Sequence, residues 1–451
     1  MATDFSGKGR AVPSGRLSRL GAFGRMAGGV AGGVVAEGAR RLAAGERPQM
    51  SDLLLTPANV TRVTDQLSNL RGAAMKLGQM ISMDAGDMLP KELTDILSRL
   101  RNQAYHMPPA QLQTVLAAQW GKDWRTRFTR FGASPIAAAS IGQVHKATTR
   151  DGRELAIKVQ YPGVRESIDA DVDNVATLLR ISGLLPKAID IAPLLAEAKR
   201  QLHEEADYVR EGEQMIRFGA LLADAPQFVV PTLDTEFSGD RVLAMSFETG
   251  TSVESLVDAP QDERDRVMHS LIELVSRELF EFGLMQTDPN FANFRYQRDT
   301  GKLVLLDFGA VRAIDPATAR GYHALLMAGL DNDRDAARAA AVSAGFVNDL
   351  TATRHRATID AMIGIVMAEM NKPGPFDFGD RAFVTVLRDQ GIGIAEDREA
   401  WHIPPVDTLF VQRKISGTAL LAARLKARVD VRAMVEGYRG AFADGTLRRS
   451  T

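Results

Sequence analysis

The sequence predicts an α+β fold in two lobes, a small β-rich one followed by a large helical one, behind an N-terminal helical extension. Three observations carry this. From Thr56 to about Trp124 the apolar residues recur at helical spacing, with a turn at Met107-Pro108-Pro109. Between residues 131 and 247 short β-like runs appear, broken by a helical stretch over 165–223. From Glu254 onward the helical pattern dominates. The boundaries are 1–50 for a basic, Gly-rich leader, 51–130 for the helical extension, 131–247 for the β-rich lobe with its helical insert, and 248–451 for the helical lobe.

The leader carries Lys8, Arg10, Arg16, Arg19, Arg25, Arg40, Arg41 and Arg47 against Asp4, Glu37 and Glu46. Gly24, Gly28 and Gly32 run into the small and apolar stretch Met26–Ala36 at a four-residue spacing that lets helices approach closely. It reads either as a peripheral membrane contact or self-association face, or as a flexible Gly-rich lead-in. The chain has 451 residues, 45% of them hydrophobic, enough for a sizeable core. With 0 cysteines, disulfides, thiolate metal sites and cysteine nucleophiles are excluded. A net charge of -1 argues against nucleic acid as a partner. No apolar run reaches the roughly 18 residues of a transmembrane helix.

Within the β-rich lobe, Ile141–Ala147 and Leu155–Gln160 flank Arg150-Asp151-Gly152, an Asp-Gly turn that predicts a hairpin. Phe228–Val230 and Val242–Phe247 read as further strands, and one long helix is expected from about Ala192 to Leu222. In the helical lobe a single β pair is expected, near Phe294–Tyr296 and Leu303–Leu306. Asp315 followed by Pro316 reads as an N-cap and first helical residue.

Four motifs fall in one order. Ala137-Ala138-Ala139-Ser140-Ile141-Gly142-Gln143-Val144 has the form of a phosphate-binding loop with alanine at its first two glycine positions. Alanine has a Cβ and limits close approach, so phosphates are expected to be gripped differently there. Leu155-Ala156-Ile157-Lys158 follows, an apolar strand ending in a lysine whose burial requires an anionic partner. Then come Asp288 and Asn293, five apart, and Asp307-Phe308-Gly309 after an apolar strand. Read singly, each has a plainer alternative: a small-residue turn, or an edge-strand lysine in water. In this order they match a protein-kinase fold, with Asp288 catalytic and with Asn293 and Asp307 as ligands for Mg2+. A second triplet, Asp377-Phe378-Gly379, follows Lys372-Pro373-Gly374-Pro375 rather than a strand, and reads as a turn. For the helix-borne partner of Lys158 the choice is Glu211; Asp207, four residues earlier, would share its face, leaving Glu205 and Asp207 for another task.

With these motifs the chain resembles the UbiB (ADCK) family of atypical kinases, in its coenzyme Q kinase-like branch. Lys76-Leu77-Gly78-Gln79 is similar to the family's K-x-G-Q signature, Ala137–Ser140 to its alanine-rich loop, and Glu205-Ala206-Asp207 to its E-x-D signature. The resemblance runs from about Val12 to near Ala441. It implies a bilobal protein-kinase-like fold whose helical extension covers the active site, with Lys76 and Gln79 near the nucleotide and facing Glu205 or Asp207. It implies ATP and Mg2+ as cofactors, a role in ubiquinone biosynthesis, and association with membranes. Few residues separate Gly309 from Pro316 and no A-P-E signature follows, so little chain is left for a peptide-docking activation loop. Gln286 stands where kinases often have a histidine; it cannot titrate and can only hydrogen-bond.

The expected activity is therefore Mg-ATP turnover supporting ubiquinone biosynthesis at a membrane surface. Lys158, Ala137, Ala138, Ala139, Ser140, Gly142 and Val144 would hold phosphates, and Met245 and Phe247 would lie beside the adenine. Two rival readings are a kinase for a small, isoprenoid-linked phenol and a non-catalytic, nucleotide-gated lipid-binding scaffold. Expected partners are ATP, a lipid or quinone-precursor small molecule, the membrane surface and quinone-biosynthesis proteins, with oligomer formation left open. A cytoplasmic site peripheral to the inner membrane is expected, with a mitochondrial one as the alternative.

Overall fold

The structure, a computed structural model, describes Arg40 and residues 107–181, 192–288, 290–397 and 404–442. The leader apart from Arg40, and the extension as far as residue 106 with Lys76 and Gln79, lie outside the described residues. The chain divides into two units. One takes residues up to Ile216 together with Thr232–Glu248; the other takes Arg217–Pro231 and everything from Thr249.

The first unit is built on an antiparallel sheet. Its strands are β1 (Phe128–Phe131), β2 (Ala137–Ala138), β3 (Gly142–Thr149), β4 (Glu154–Gln160) and β6 (Val242–Ser246). The spatial order is β1-β3-β4-β6, with β2 paired to β3. The β3–β4 hairpin turns at Gly152, whose φ of 90° a residue with a Cβ rarely adopts. Alternation then sorts the side chains of β4. Leu155, Ile157 and Val159 face a core shared with Leu112, Leu116, Trp124, Phe128 and Phe237. Helix α1 (Pro109–Trp120) closes this face, and Trp120 Nε1 donates to Phe237 O at 3.1 Å. Lys158 and Gln160 are thereby turned to the opposite face.

That face receives the start of α4 (Tyr208–Leu221), which the chain reaches after the helices α2 (Ile168–Ile181) and α3 (Ala192–Glu205). The sequence pattern predicted one helix across α3 and α4, and the structure corrects this. The chain breaks at Ala206-Asp207, where Gln160 Nε2 donates to Ala206 O at 2.7 Å. Asp207 then caps α4, accepting the Arg210 N–H at 3.1 Å.

The second unit is mostly helical: α5 (Gln261–Arg277), α6 (Pro316–Leu330), α7 (Arg334–Ser343), α8 (Asp349–Arg354), α9 (Arg356–Met370), α10 (Ala382–Glu396), α11 (Val406–Leu425) and α12 (Val431–Glu436). Asp315 caps α6 through Ala317 N at 2.8 Å, as the Asp-Pro pair predicted. The expected β pair is present as β9 (Phe294–Gln297) and β10 (Lys302–Leu305), in a sheet with β5 (Phe228–Val229) and β7 (Thr251–Ser252). It is not the only one. The short strands β8 (Leu284–Gln286) and β11 (Val311–Ala313) pair, as do β12 (Phe376–Asp377) and β13 (Arg428–Val429). Their two or three residues give no alternation to read, so only tertiary pairing defines them.

Gly142 opens β3 in a place with no room for a side chain. A Cβ there would lie 2.4 Å from Val159 O, a backbone atom that cannot swing aside. Gly142→Ala should therefore destabilise the first unit by about 1–3 kcal/mol. A lowered first transition in scanning calorimetry is the expected result; an unchanged trace would show that the β3–β4 pair yields freely.

Candidate active site

In the first unit the site is built around Lys158. Its Nζ lies 2.8 and 2.9 Å from the two carboxylate oxygens of Glu211, one turn into α4. Both side chains are nearly closed to solvent, at 10% and 1% exposure. A cation buried this far is tolerable only with such a partner. The Tyr208 ring adds its face, with its centre 5.1 Å from Nζ. So the structure places Lys158 with Glu211, the partner chosen from spacing. Asp207 does not share that face as a helical neighbour; it is the cap of the helix that carries Glu211.

The alanine-rich segment is a tight turn joining β2 to β3. Ala137 pairs with Val144, Ala138 with Gln143, and the Ala139 N–H donates to Gly142 O at 2.9 Å. Ser140 Oγ donates to Glu205 Oε2 at 2.5 Å, tying this turn to the C-terminal end of α3. Spacing alone did not reveal that Ser140–Glu205 bond, because the two residues are 65 apart in sequence. Met245 is buried in β6, paired with Ala156. The Phe247 N–H donates to Glu154 O at 2.9 Å, and its ring lies 4.0 Å from Lys146 Nζ.

In the second unit the geometry follows from two strand pairs. Antiparallel register sets Phe294 opposite Leu305, so Asn293 and Asp307 emerge at the same end of β9 and β10. The Leu306 N–H donates to Asn293 O at 2.9 Å. The second pair sets Gln286 opposite Val311. Next to it, Thr287 donates both its N–H, at 3.1 Å, and its hydroxyl, at 2.8 Å, to Ala310 O. The loop carrying Asp288 is thus strapped to the segment that follows Asp307-Phe308-Gly309. Asn293 Nδ2 donates to Asp288 Oδ2 at 3.0 Å, which turns the Asn293 carbonyl oxygen away from Asp288. Asp307 Oδ1 accepts the Gly309 N–H at 2.9 Å, and Phe308 is buried against Phe218 with ring centres 5.3 Å apart. The second triplet starts on β12 and turns over Phe378-Gly379, a strand end that the sequence did not predict: Asp377 accepts the Gly379 N–H at 2.8 Å and pairs with Arg428 at 3.2 Å.

Comparison with known proteins now bears on these residues. Residues 99–341 match the model of the ABC1 atypical kinase-like domain. The chain belongs to this atypical kinase family.

It is the UbiB family that the motifs resembled. The chain is 38% identical over 426 residues to the mitochondrial atypical kinase COQ8 of Saccharomyces cerevisiae, covering 94% of this chain and 84% of that one. It is 38% identical over 429 residues to the mitochondrial atypical kinase COQ8B of Rattus norvegicus, covering 94% and 80%. A Mycobacterium tuberculosis protein solved in complex with erythromycin has a similar fold, with a TM-score of 0.58 at 25% identity over 82% of this chain and 93% of that one. The kinase-like domain and relatives named as atypical kinases are consistent with phosphoryl transfer, and the fold is kinase-like as predicted.

The donor set suits the hard cation that an ABC1 kinase-like protein implies. Asn293 offers an amide carbonyl and Asp307 a carboxylate, both oxygen donors. Among the described residues no group of three or more His, Asp or Glu forms a ready-made metal cage. Two such donors suffice for Mg2+, which takes one or two protein oxygens and completes its shell with phosphate and water.

Lys414 and Glu278 carry no motif in the sequence. Both are almost fully buried beneath the Asp288 loop, Lys414 Nζ 3.5 Å from Glu278 Oε2. Burial pushes the Glu278 carboxyl up, while Lys414 opposes that shift. A lone lysine within helical α11 reads as a solvated cation, so only the structure exposes the pair.

If capping is what Asp207 does, Asp207→Asn keeps the helix, because Asn caps as well as Asp. Asp207→Ala should cost about 1 kcal/mol. Thermal melts of the two variants check this; equal losses would deny the capping role.

Proposed function

We propose that this ABC1-family chain binds ATP with Mg2+ and turns it over in support of coenzyme Q biosynthesis at a membrane surface. The observation that carries the reading is Lys158, a buried cation at the end of an apolar strand, gripped by both oxygens of Glu211. In the first unit, Lys158 holds nucleotide phosphates. Ala137–Ala139, Ser140, Gly142 and Val144 bring their backbone close to those phosphates, and Met245 and Phe247 flank the adenine. By the family resemblance alone, Lys76 and Gln79 would lie near the nucleotide and meet Glu205 or Asp207.

In the second unit, Asn293 and Asp307 hold Mg2+ through oxygen. The bound metal would neutralise charge that builds on the transferring phosphoryl group. Asp288 orients the attacking hydroxyl or water, and the bond from Asn293 Nδ2 fixes its carboxylate in one rotamer. ATP hydrolysis is favoured over protein phosphorylation, because only Ala310–Asp315 separate Gly309 from helix α6, and three of those residues are committed to β11. A peptide would find no extended segment there to dock on.

The coenzyme Q role rests on the relatives named COQ8 and COQ8B, both described as mitochondrial. No helix among the described residues is long and apolar enough to cross a membrane. We propose attachment to a membrane surface, peripheral to the inner membrane or in a mitochondrion, with the basic leader as its contact.

Purified protein should release phosphate from Mg-ATP in the presence of anionic liposomes. Asp288→Asn should slow that release by ~10²-fold or more, the range for loss of a general base. Equal background release by both proteins would remove the enzymatic reading. A phosphorylated lipid in the products, seen by mass spectrometry, would shift it to small-molecule phosphorylation. Quinone levels restored by Asp288→Asn in a deletion strain would instead favour a scaffold.

A further inference from the structure

The buried Lys414–Glu278 pair has no part in the chemistry above, yet it lies against both ends of the Asp288 loop. Lys414 Nζ donates to Gln286 Oε1 at 3.0 Å, two residues before Asp288. The same Nζ lies 5.3 Å from the ring centre of Phe294, the residue after Asn293. Glu278 takes the backbone of Gln286 as well: its Oε1 accepts the Gln286 N–H at 3.2 Å. Gln286 is therefore gripped by side chain and main chain at once, from α11 and from the π-helical turn Glu278–Phe282 that extends α5.

The orientation of Gln286 is fixed by charge. An ammonium has only donors, so the amide must present its oxygen to Lys414. Its Nε2 is buried and finds no acceptor among the described residues. The side chain is thus held through its oxygen, by Lys414. Burying a charged pair is weak support for stability, since an apolar pair of similar volume does as well or better. Such a group is best explained by what it positions.

We propose that Lys414 is a positioning residue: from below the loop it holds Gln286 and Phe294, and through them sets Asp288 and Asn293. Lys414 touches no reacting atom. Its effect on turnover passes through Gln286, which explains why a non-titrating amide serves where kinases often carry histidine. The proposal rests on the ATP-turnover reading for its kinetic consequence, but not for its structural one.

The experiment compares wild type, Lys414→Met and the neutralised pair Lys414→Met/Glu278→Gln. The single variant strands a buried carboxyl and should melt early; the double variant should recover most of that loss. A positioning role predicts that the recovered double variant stays slow, with kcat for Mg-ATP down ~10- to 100-fold. Its KM should stay within about twofold of wild type. Hydrogen exchange should rise in peptides covering 284–296 and nowhere else. Wild-type kcat and wild-type exchange in the double variant would overturn the proposal. Gln286→Met, which leaves the charge pair intact, is read by the same two criteria if the double variant fails to fold. Should wild type release no phosphate at all, the proposed activity falls, while loop exchange still decides the role of Lys414.

Discussion

One buried ion pair organises the first unit. Lys158 can leave water only because Glu211 meets it at 2.8 Å, and Glu211 can meet it only if α4 starts where it does. That start is set by the break at Ala206-Asp207, held from β4 by Gln160 and capped by Asp207. Lys158 and Gln160 stand on one face of β4 because a strand alternates, and the other face is occupied by the core around Trp124 and Phe237. The apolar packing on one side thus dictates which polar groups are presented on the other. Removing either charge would leave its partner stranded in a dry setting, a loss of about 3–5 kcal/mol for buried pairs.

The second unit uses strand register for the same end. Two antiparallel pairs, β8 with β11 and β9 with β10, set Gln286 opposite Val311 and Phe294 opposite Leu305. Asp288, Asn293 and Asp307 each sit beside the end of a strand rather than inside one. Loops so placed are held at both ends, which suits side chains that must keep one geometry. Lys414 and Glu278 supply a further hold from within the core. The same arrangement recurs in both units: a buried charge is satisfied by a group on another element.

How much of this was legible in the sequence depended on how local the signal was. The β3–β4 hairpin was legible because Asp151-Gly152 supplies its own turn. The α6 start was legible because Asp315 and Pro316 act on the next few residues. The pairing of Lys158 with Glu211 was legible only as a choice among the acids Glu197, Glu204, Glu205, Asp207, Glu211 and Glu213 of the expected helix. By contrast, the break between α3 and α4 was hidden, since Glu204 to Glu211 contains neither Gly nor Pro and the interruption is imposed from β4. The short strands β8 and β11 were hidden because three residues carry no period. Ser140 with Glu205, and Lys414 with Gln286 and Glu278, were hidden because 65 and 128 residues separate Ser140 from Glu205 and Lys414 from Gln286. Lys76 and Gln79 lie outside the described residues, and their role stands on resemblance.

The central claim is that the buried Lys158–Glu211 pair exists to present a cation to nucleotide phosphates. Calorimetric titration of a non-hydrolysable ATP analogue with Mg2+ tests it most directly, comparing wild type with Lys158→Met/Glu211→Leu. The double change replaces the pair with apolar groups, so the fold should survive and its melt should stay near wild type. The account predicts that analogue affinity then drops by ~10-fold or more, since a charge-assisted contact to phosphate is worth about 1.5–3 kcal/mol. Wild-type affinity in a folded double variant would contradict it.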